Sequence, residues 1–334
     1  MLVTAIGSWG EIAPLLEIAL RFKEEGKEVE FATTPDWADK VESYGIKCHR
    51  YQKTEKHTHT LDGFTNAHLT GRMDAMLKTI EKAKPNEIIS GLYVFHAQVY
   101  GVQNDIPVTV TTTSPYYLMK TEESKSFRNY QKDILSRVKA LPINPVGIYP
   151  WYLHSDVGIP CVGFPVLRQT EKLSDELAKF IEEPYVVITR GTLVDGELDR
   201  AVNAIHAYGL KCLYLGPRKC KADLSAYFTN HAAAVSKAAV CITHAGVGTT
   251  VDCMGIPMVV DPCGYDQRYN ADRLIELKVA VGVQSSYIRA IARAMEPRSY
   301  LPNSFSFDAF KRLHDPQGDT FRFAADVGER AALH

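Results

Sequence analysis

Short apolar runs alternate with stretches whose apolar residues fall on one broad face, and this rhythm marks both ends of the chain. Leu2–Ile6 is an apolar run fit for a buried strand, and Gly7-Ser8-Trp9-Gly10 breaks it. Pro14 suits the opening of a helix, for which Leu15, Leu16, Ile18, Ala19, Leu20 and Phe22 supply the apolar face, and Gly26 stops it. Val29–Ala32 reads as the next strand and Asp36–Tyr44 as a second helix, stopped by Gly45. Strand, helix, strand, helix in this order predicts a parallel sheet with helices on its faces.

The middle carries less pattern. Lys53–Thr70 is polar and holds His57, His59 and His68, while Ile88–Gln98 and Pro107–Thr113 bear strands. Leu141–Pro165 contains Pro142, Pro145, Pro150, Pro160 and Pro165, a poor strand or helix interior, and reads as the approach to a domain boundary. A second series then begins: strands at Tyr185–Thr189, Cys212–Leu215, Val240–Thr243, Pro257–Asp261 and Val279–Val283. Helices are expected between them at Glu197–Tyr208, His231–Lys237, Thr249–Met254 and Asp266–Leu277. The expected division is 1–160 and 161–334, with a tail after Tyr287 that the pattern leaves unassigned and that has the option of packing back on the first domain.

Composition narrows the classes. With 334 residues, 46% hydrophobic, there is enough apolar material for two cores. The formal net charge of -1 offers no basic footprint for a nucleic-acid partner. Seven cysteines lack C-x-x-C spacing, which argues against zinc ribbons and redox pairs and suits reduced thiols in a cytoplasmic setting. No apolar stretch reaches the ~18–20 residues of a membrane span, so any membrane contact is expected to be peripheral. The histidines around His57 lie in sequence without acidic ligands, and no metal site is expected.

Candidate chemistry gathers in Val240 to Asn270, VCITHAGVGTTVDCMGIPMVVDPCGYDQRYN. A buried strand runs into a glycine-rich loop and a helix that opens with Thr249 and Thr250. Such a helix start presents unpaired N–H groups suited to phosphate, and Gly246 and Gly248 let backbone approach an anion. His244 is placed to donate to a phosphate oxygen, and Asp252, read as lying on the first helical turn, to accept from ribose hydroxyls. Asp266 beside Gln267 suits two adjacent sugar hydroxyls. Ligands in such sheets bind at the carboxyl ends of strands.

The ordered set H-x-G-x-G-T-T, G-I-P, D-Q-x-x-N resembles the donor-binding signature of family 1 glycosyltransferases of GT-B fold, of the type that glycosylates sterols and antibiotics. Asn230-His231 stands at the matching distance before His244. Gly7-Ser8-Trp9-Gly10-Glu11-Ile12-Ala13-Pro14-Leu15 resembles that family's amino-terminal loop, and Val187–Thr192 its strand and loop opening the donor domain. Trp9 replaces the family's usual arginine, Glu11 an aspartate and Asp252 a glutamate. The resemblance covers roughly residues 1–45 and 185–284. It implies two Rossmann-like doubly wound domains facing a central cleft, the first binding acceptor and the second a nucleotide-sugar donor.

The implied reaction is inverting and metal-independent, with no cofactor beyond a UDP- or dTDP-sugar as co-substrate. A hexose, glucose above all, passes to a hydroxyl of a small lipophilic or glycan acceptor. Glu11 is the expected general base. His244, the glycine-loop amides, Thr192 and Arg190 are expected at the leaving diphosphate. Tyr116, Tyr117, Trp151 and Tyr152 are candidates for an acceptor pocket, against the commoner fate of core packing. Two alternatives stand beside this reading: a nucleotide-sugar epimerase of the same architecture, and a non-catalytic nucleotide-sugar binder.

Overall fold

The computed structural model describes residues 1–51, 73–114, 125, 129, 132, 145–153, 158–169, 171–191, 198–227, 229–264, 266–296 and 305–314. His57, His59, His68, Tyr116, Tyr117 and Thr192 lie outside them, as does the side chain of Trp151. The chain forms two compact units, Met1–Leu167 with Ser304–His334, and Arg168–Asn303. The first unit therefore runs past residue 160, and of the chain after Tyr287 the part up to Asn303 belongs to the second unit and the part from Ser304 is grouped with the first.

The first unit builds one sheet from β1 (Leu2–Thr4), β2 (Glu30–Thr33), β3 (Lys47–Arg50), β4 (Ile88–Gly91), β5 (Val108–Thr112) and β6 (Val146–Gly147). Helices α1 (Trp9–Glu24), α2 (Pro35–Glu42), α3 (Met73–Ala83) and α4 (Phe95–Asn104) lie between its strands. All pairings are parallel and the order is β3-β2-β1-β4-β5-β6. Helix α1 starts at Trp9 and not at Pro14, because Ser8 takes an extended N-cap backbone and Gly10 and Glu11 form the first turn. Pro14 sits inside the helix, where its missing N–H forgoes the bond to the Gly10 carbonyl. Ile88–Gln98 divides into β4 and the start of α4, and the proline-rich approach to the boundary hides the short strand β6.

The second unit repeats the plan. It contains α5 (Asp175–Phe180), β7 (Tyr185–Thr189), α6 (Leu198–Ala207), β8 (Lys211–Leu215), β9 (Leu224–Ala226), α7 (His231–Val235), β10 (Val240–Thr243) and α8 (Val247–Asp252). β11 (Met258–Val260), α9 (Gln267–Glu276), β12 (Ala280–Gly282) and α10 (Tyr287–Ala294) complete it. The sheet is again parallel, ordered β12-β11-β10-β7-β8-β9. Tyr185 to Ile188 and Cys241 to Ile242 are fully buried, as expected for central parallel strands covered on both faces. Both sheets thus reverse direction once, between β1 and β4 in the first unit and between β7 and β10 in the second. The seven cysteines are free thiols, and among the described residues no helix is long and apolar enough to cross a membrane.

The tail supplies α11 (Phe307–His314). Phe310 is fully buried in the core of the first unit, with its ring 6.3 Å from that of Phe22, while Phe307 meets Phe22 edge-on at 4.9 Å. His314 Nδ1 lies 2.8 Å from Thr109 Oγ1, and Nε2 lies 3.4 Å from Glu87. That imidazole, opposed by burial and aided by Lys27, holds the Glu87 carboxyl below its ordinary range. Phe310→Ala is expected to cost the first unit about 3–5 kcal/mol, read by urea denaturation. A loss under about 1 kcal/mol would mean that α11 is not part of that core.

Candidate functional site

In a doubly wound sheet, the helices after the two strands flanking the reversal go to opposite faces, which opens a crevice outside their carboxyl ends. In the second unit those ends are Thr189-Arg190-Gly191 and Thr243-His244-Ala245, since Thr189 pairs with Thr243 in register. His244 is buried there, at 6% exposure, with Nδ1 3.4 Å from the Thr189 carbonyl. Two glycines flank its ring. A Cβ on Gly191, itself at φ 59°, would stand 2.9 Å from Cε1, and one on Gly246 would stand 2.4 Å from Nε2. Neither position has room for a side chain while the imidazole keeps this place.

The loop that carries the ring is strained and pinned. Ala245 adopts φ 64°, a left-handed conformation that costs a residue with a Cβ. Its N–H donates to Thr243 Oγ1 at 3.2 Å, and Asn270 Nδ2 donates to its carbonyl at 3.0 Å. Asn270 is fully buried. Its side chain therefore enforces the loop shape from α9, which the D-Q-x-x-N spacing carried in sequence without revealing.

Gly246 is the extended N-cap of α8, and no side chain caps that end. The first intrahelical bond there is Thr250 N–H to the Gly246 carbonyl at 2.8 Å. The N–H groups of Val247, Gly248 and Thr249 precede it and have no helical acceptor. Thr249 is half-buried. Thr250 is fully buried, so its hydroxyl is closed to a ligand, contrary to expectation. Asp252 is the last residue of α8 and not on its first turn, because the helix starts at Val247 and ends after six residues.

His231 joins three elements. Nε2 is 2.9 Å from Thr189 Oγ1 and Nδ1 is 2.7 Å from Asp252 Oδ2. Asn230 is structural: its Oδ1 caps α7 by accepting from Ala233 N–H at 3.1 Å, and its Nδ2 donates to the carbonyls of Gln169 and Glu171. Thr189 escaped notice in the sequence because it looked like the last residue of an apolar strand.

Arg190 is neither solvated nor open to a phosphate. It is 1% exposed, and its guanidinium donates to Asp261 Oδ2 at 2.5 Å, to the Asp261 carbonyl at 3.0 Å and to Tyr287 Oη at 3.2 Å. Tyr287 also donates to Asp261 Oδ2. The arginine ties the ends of β7 and β11 to α10, and its charge is committed there. Gln267 is likewise engaged, its Oε1 accepting from the N–H groups of Cys263 and Gly264 at 2.9 and 3.1 Å. Asp266 stands at the N-cap of α9 but makes no side-chain cap bond, and its Oδ2 accepts from Asn270 Nδ2 at 3.1 Å.

Glu11 belongs to the first unit, in the first turn of α1 after β1, beside the reversal of that sheet. Thr113, just past β5, donates its hydroxyl to the Glu11 carboxylate. Among the described residues no group of three or more His, Cys, Asp or Glu side chains is arranged to hold a metal. A cavity of about 1160 Å³ runs along α9 and β12, with Arg268, Asp272, Lys278, Arg293 and Glu296 in its wall. None of the expected site residues lines it.

Burial pushes the His244 imidazole down from 6.5 to about 4, with Arg190 and His231 adding to the fall against the Thr189 bond. The ring is therefore neutral at pH 7. Since the unfolded chain takes the proton first, stability is full above pH 6.5 and is lost as pH falls towards about 4. The loss attributable to this ring is of the order of 3 kcal/mol. His244→Asn is expected to flatten the fall of melting temperature between pH 6.5 and 4. An unchanged slope would contradict the buried neutral ring.

Residues 170–296 match the model of the glycosyltransferase family 28 C-terminal domain. No curated protein matches the chain. Solved structures similar to it include the glycosyltransferase of kitacinnamycin, 17% identical, TM-score 0.67, covering 98% of this chain and 98% of that one. The spinosyn rhamnosyltransferase SpnG is 15% identical, TM-score 0.70, covering 98% of this chain and 96% of that one. A Streptomyces sp. SF2575 glycosyltransferase complexed with thymidine diphosphate is 17% identical, TM-score 0.68, covering 98% and 95%. The chain thus has the GT-B fold, and its second unit is similar to the glycosyltransferase family 28 C-terminal domain.

Proposed function

We propose that this protein is a glycosyltransferase that moves a hexosyl group from a nucleoside diphosphate sugar to a hydroxyl of a small lipophilic acceptor, with inversion and without a metal. The observation that carries the reading is His244. It sits at the sheet reversal of the second unit, between Gly191 and Gly246, within the segment matched to the family domain. An imidazole and the open N–H groups at the start of α8 form one donor-rich surface suited to a diphosphate. With Nδ1 turned to the Thr189 carbonyl, the neutral ring presents Nε2 as a lone pair. Donation to a phosphate oxygen then takes either a second proton, which the anion's charge favours, or the other tautomer.

On this reading Glu11 accepts the proton of the acceptor hydroxyl. The oxygen attacks the anomeric carbon as the bond to the diphosphate breaks, and the nucleoside diphosphate leaves with the bonding pair. The Thr113 hydroxyl holds the Glu11 carboxylate in one orientation, which a base acting within hydrogen-bond reach requires. Thymidine diphosphate is bound in one of the similar structures, which favours a pyrimidine nucleotide here.

The test is calorimetry with UDP, dTDP, GDP and ADP, with and without EDTA, followed by turnover of the sugar donors of the nucleotide that binds. UDP or dTDP is expected to bind best and to be indifferent to EDTA. Glu11→Gln is expected to leave that affinity within about threefold and to lower turnover at least about a hundredfold. Full turnover by the variant would remove Glu11 as the base, and no binding by any nucleotide would overturn the reading.

A further inference from the structure

The start of α9 fastens the loops that follow β10 and β11. Gln267 Oε1 accepts from the N–H groups of Cys263 and Gly264, past the end of β11. Asn270 serves the loop past β10. Its Nδ2 gives one hydrogen to the Ala245 carbonyl at 3.0 Å and the other to Asp266 Oδ2 at 3.1 Å. A carbonyl and an ionised carboxylate only accept, so the amide nitrogen and not its oxygen faces them.

Packing does not account for an amide at this place. Asn270 is fully buried, and its Oδ1 meets no donor among the described residues. A buried amide oxygen left without a donor destabilises, and an apolar side chain of similar size would fill the space without that cost. What the asparagine supplies is its pair of hydrogens. The one given to Ala245 reaches a fully buried residue that holds φ 64°, a conformation its Cβ disfavours. Any other course of the backbone at Ala245 would redirect Gly246, the N-cap of α8, and with it the N–H groups of Val247, Gly248 and Thr249.

We propose that Asn270 is a positioning residue for the diphosphate. Its amide holds the left-handed turn at Ala245 and so aims the N–H groups at the start of α8, without touching the ligand itself. The bond to Asp266 fixes the amide through its other hydrogen, so the turn keeps its place relative to α9. This inference rests on the nucleotide-sugar reading above.

The test is calorimetry on the full chain with UDP and uridine, or with dTDP and thymidine if that pair binds tighter, the nucleoside being read by competition. Asn270→Ala is expected to weaken the diphosphate at least about tenfold, the scale of one lost hydrogen bond, and to leave the nucleoside within about threefold. Only the diphosphate meets the turn. The loss is expected to shrink below about threefold in an Ala245→Gly background, because glycine takes a positive φ without help. A folded Asn270→Ala protein that binds the diphosphate as wild type does would overturn the inference. So would an equal loss for nucleoside and diphosphate, or a loss undiminished in the Ala245→Gly background. Asn270→Leu keeps the volume without the hydrogens and is read in the same way if Asn270→Ala does not fold. Failure of the wild-type chain to bind any nucleotide would instead overturn the nucleotide reading itself, and this inference with it.

Discussion

The imidazole of His244 is the point on which the second unit turns. A parallel sheet that reverses between β7 and β10 leaves a crevice at two strand ends, but a crevice alone has no chemistry. Here one strand end supplies the ring, the other supplies the carbonyl that meets it, and a glycine on each side leaves it space. Ala245 holds a left-handed backbone to bring Gly246 round, and Asn270 reaches from α9 to keep it there. The result is a neutral, buried ring whose charge state is coupled to what lies beside it.

Around this ring, polar and charged side chains are committed to one another. Arg190 is fixed to Asp261 and Tyr287, and His231 to Asp252. A charge buried as deeply as that of Arg190 costs desolvation unless paired and hydrogen-bonded, and this one is. The consequence is division of labour. The arginine that looked like a phosphate ligand holds three elements together. On the proposed reading, the surface left for an anion is mostly backbone N–H and one imidazole, which suits a leaving diphosphate that must also depart.

Much of this was legible in the sequence where local pattern and burial agree. Tyr185–Thr189 and Val240–Thr243 were read as strands and occupy those bounds, because continuous apolar runs between turn residues have few alternatives. The glycine loop and its histidine were legible as a set. Less legible was whatever depends on distant partners. Nothing local to Arg190 says that Asp261 lies opposite it, and nothing local to Asp252 says that α8 begins early enough to place it at the helix end beside His231. The short strands β3, β6 and β9 were missed because strands of two to four residues at sheet edges carry little periodic signal. Helix α11 was missed because its apolar face makes sense only against Phe22.

The most direct test of the account is nuclear magnetic resonance of the protein with 15N-labelled imidazoles, titrated with UDP or dTDP at neutral pH. The His244 ring nitrogens are expected to start in a neutral state and to shift with saturation of the nucleotide, in step with the 31P lines of its diphosphate. Nucleotide binding that moves the 31P lines and leaves the His244 nitrogens unchanged would place the diphosphate elsewhere and contradict the central claim.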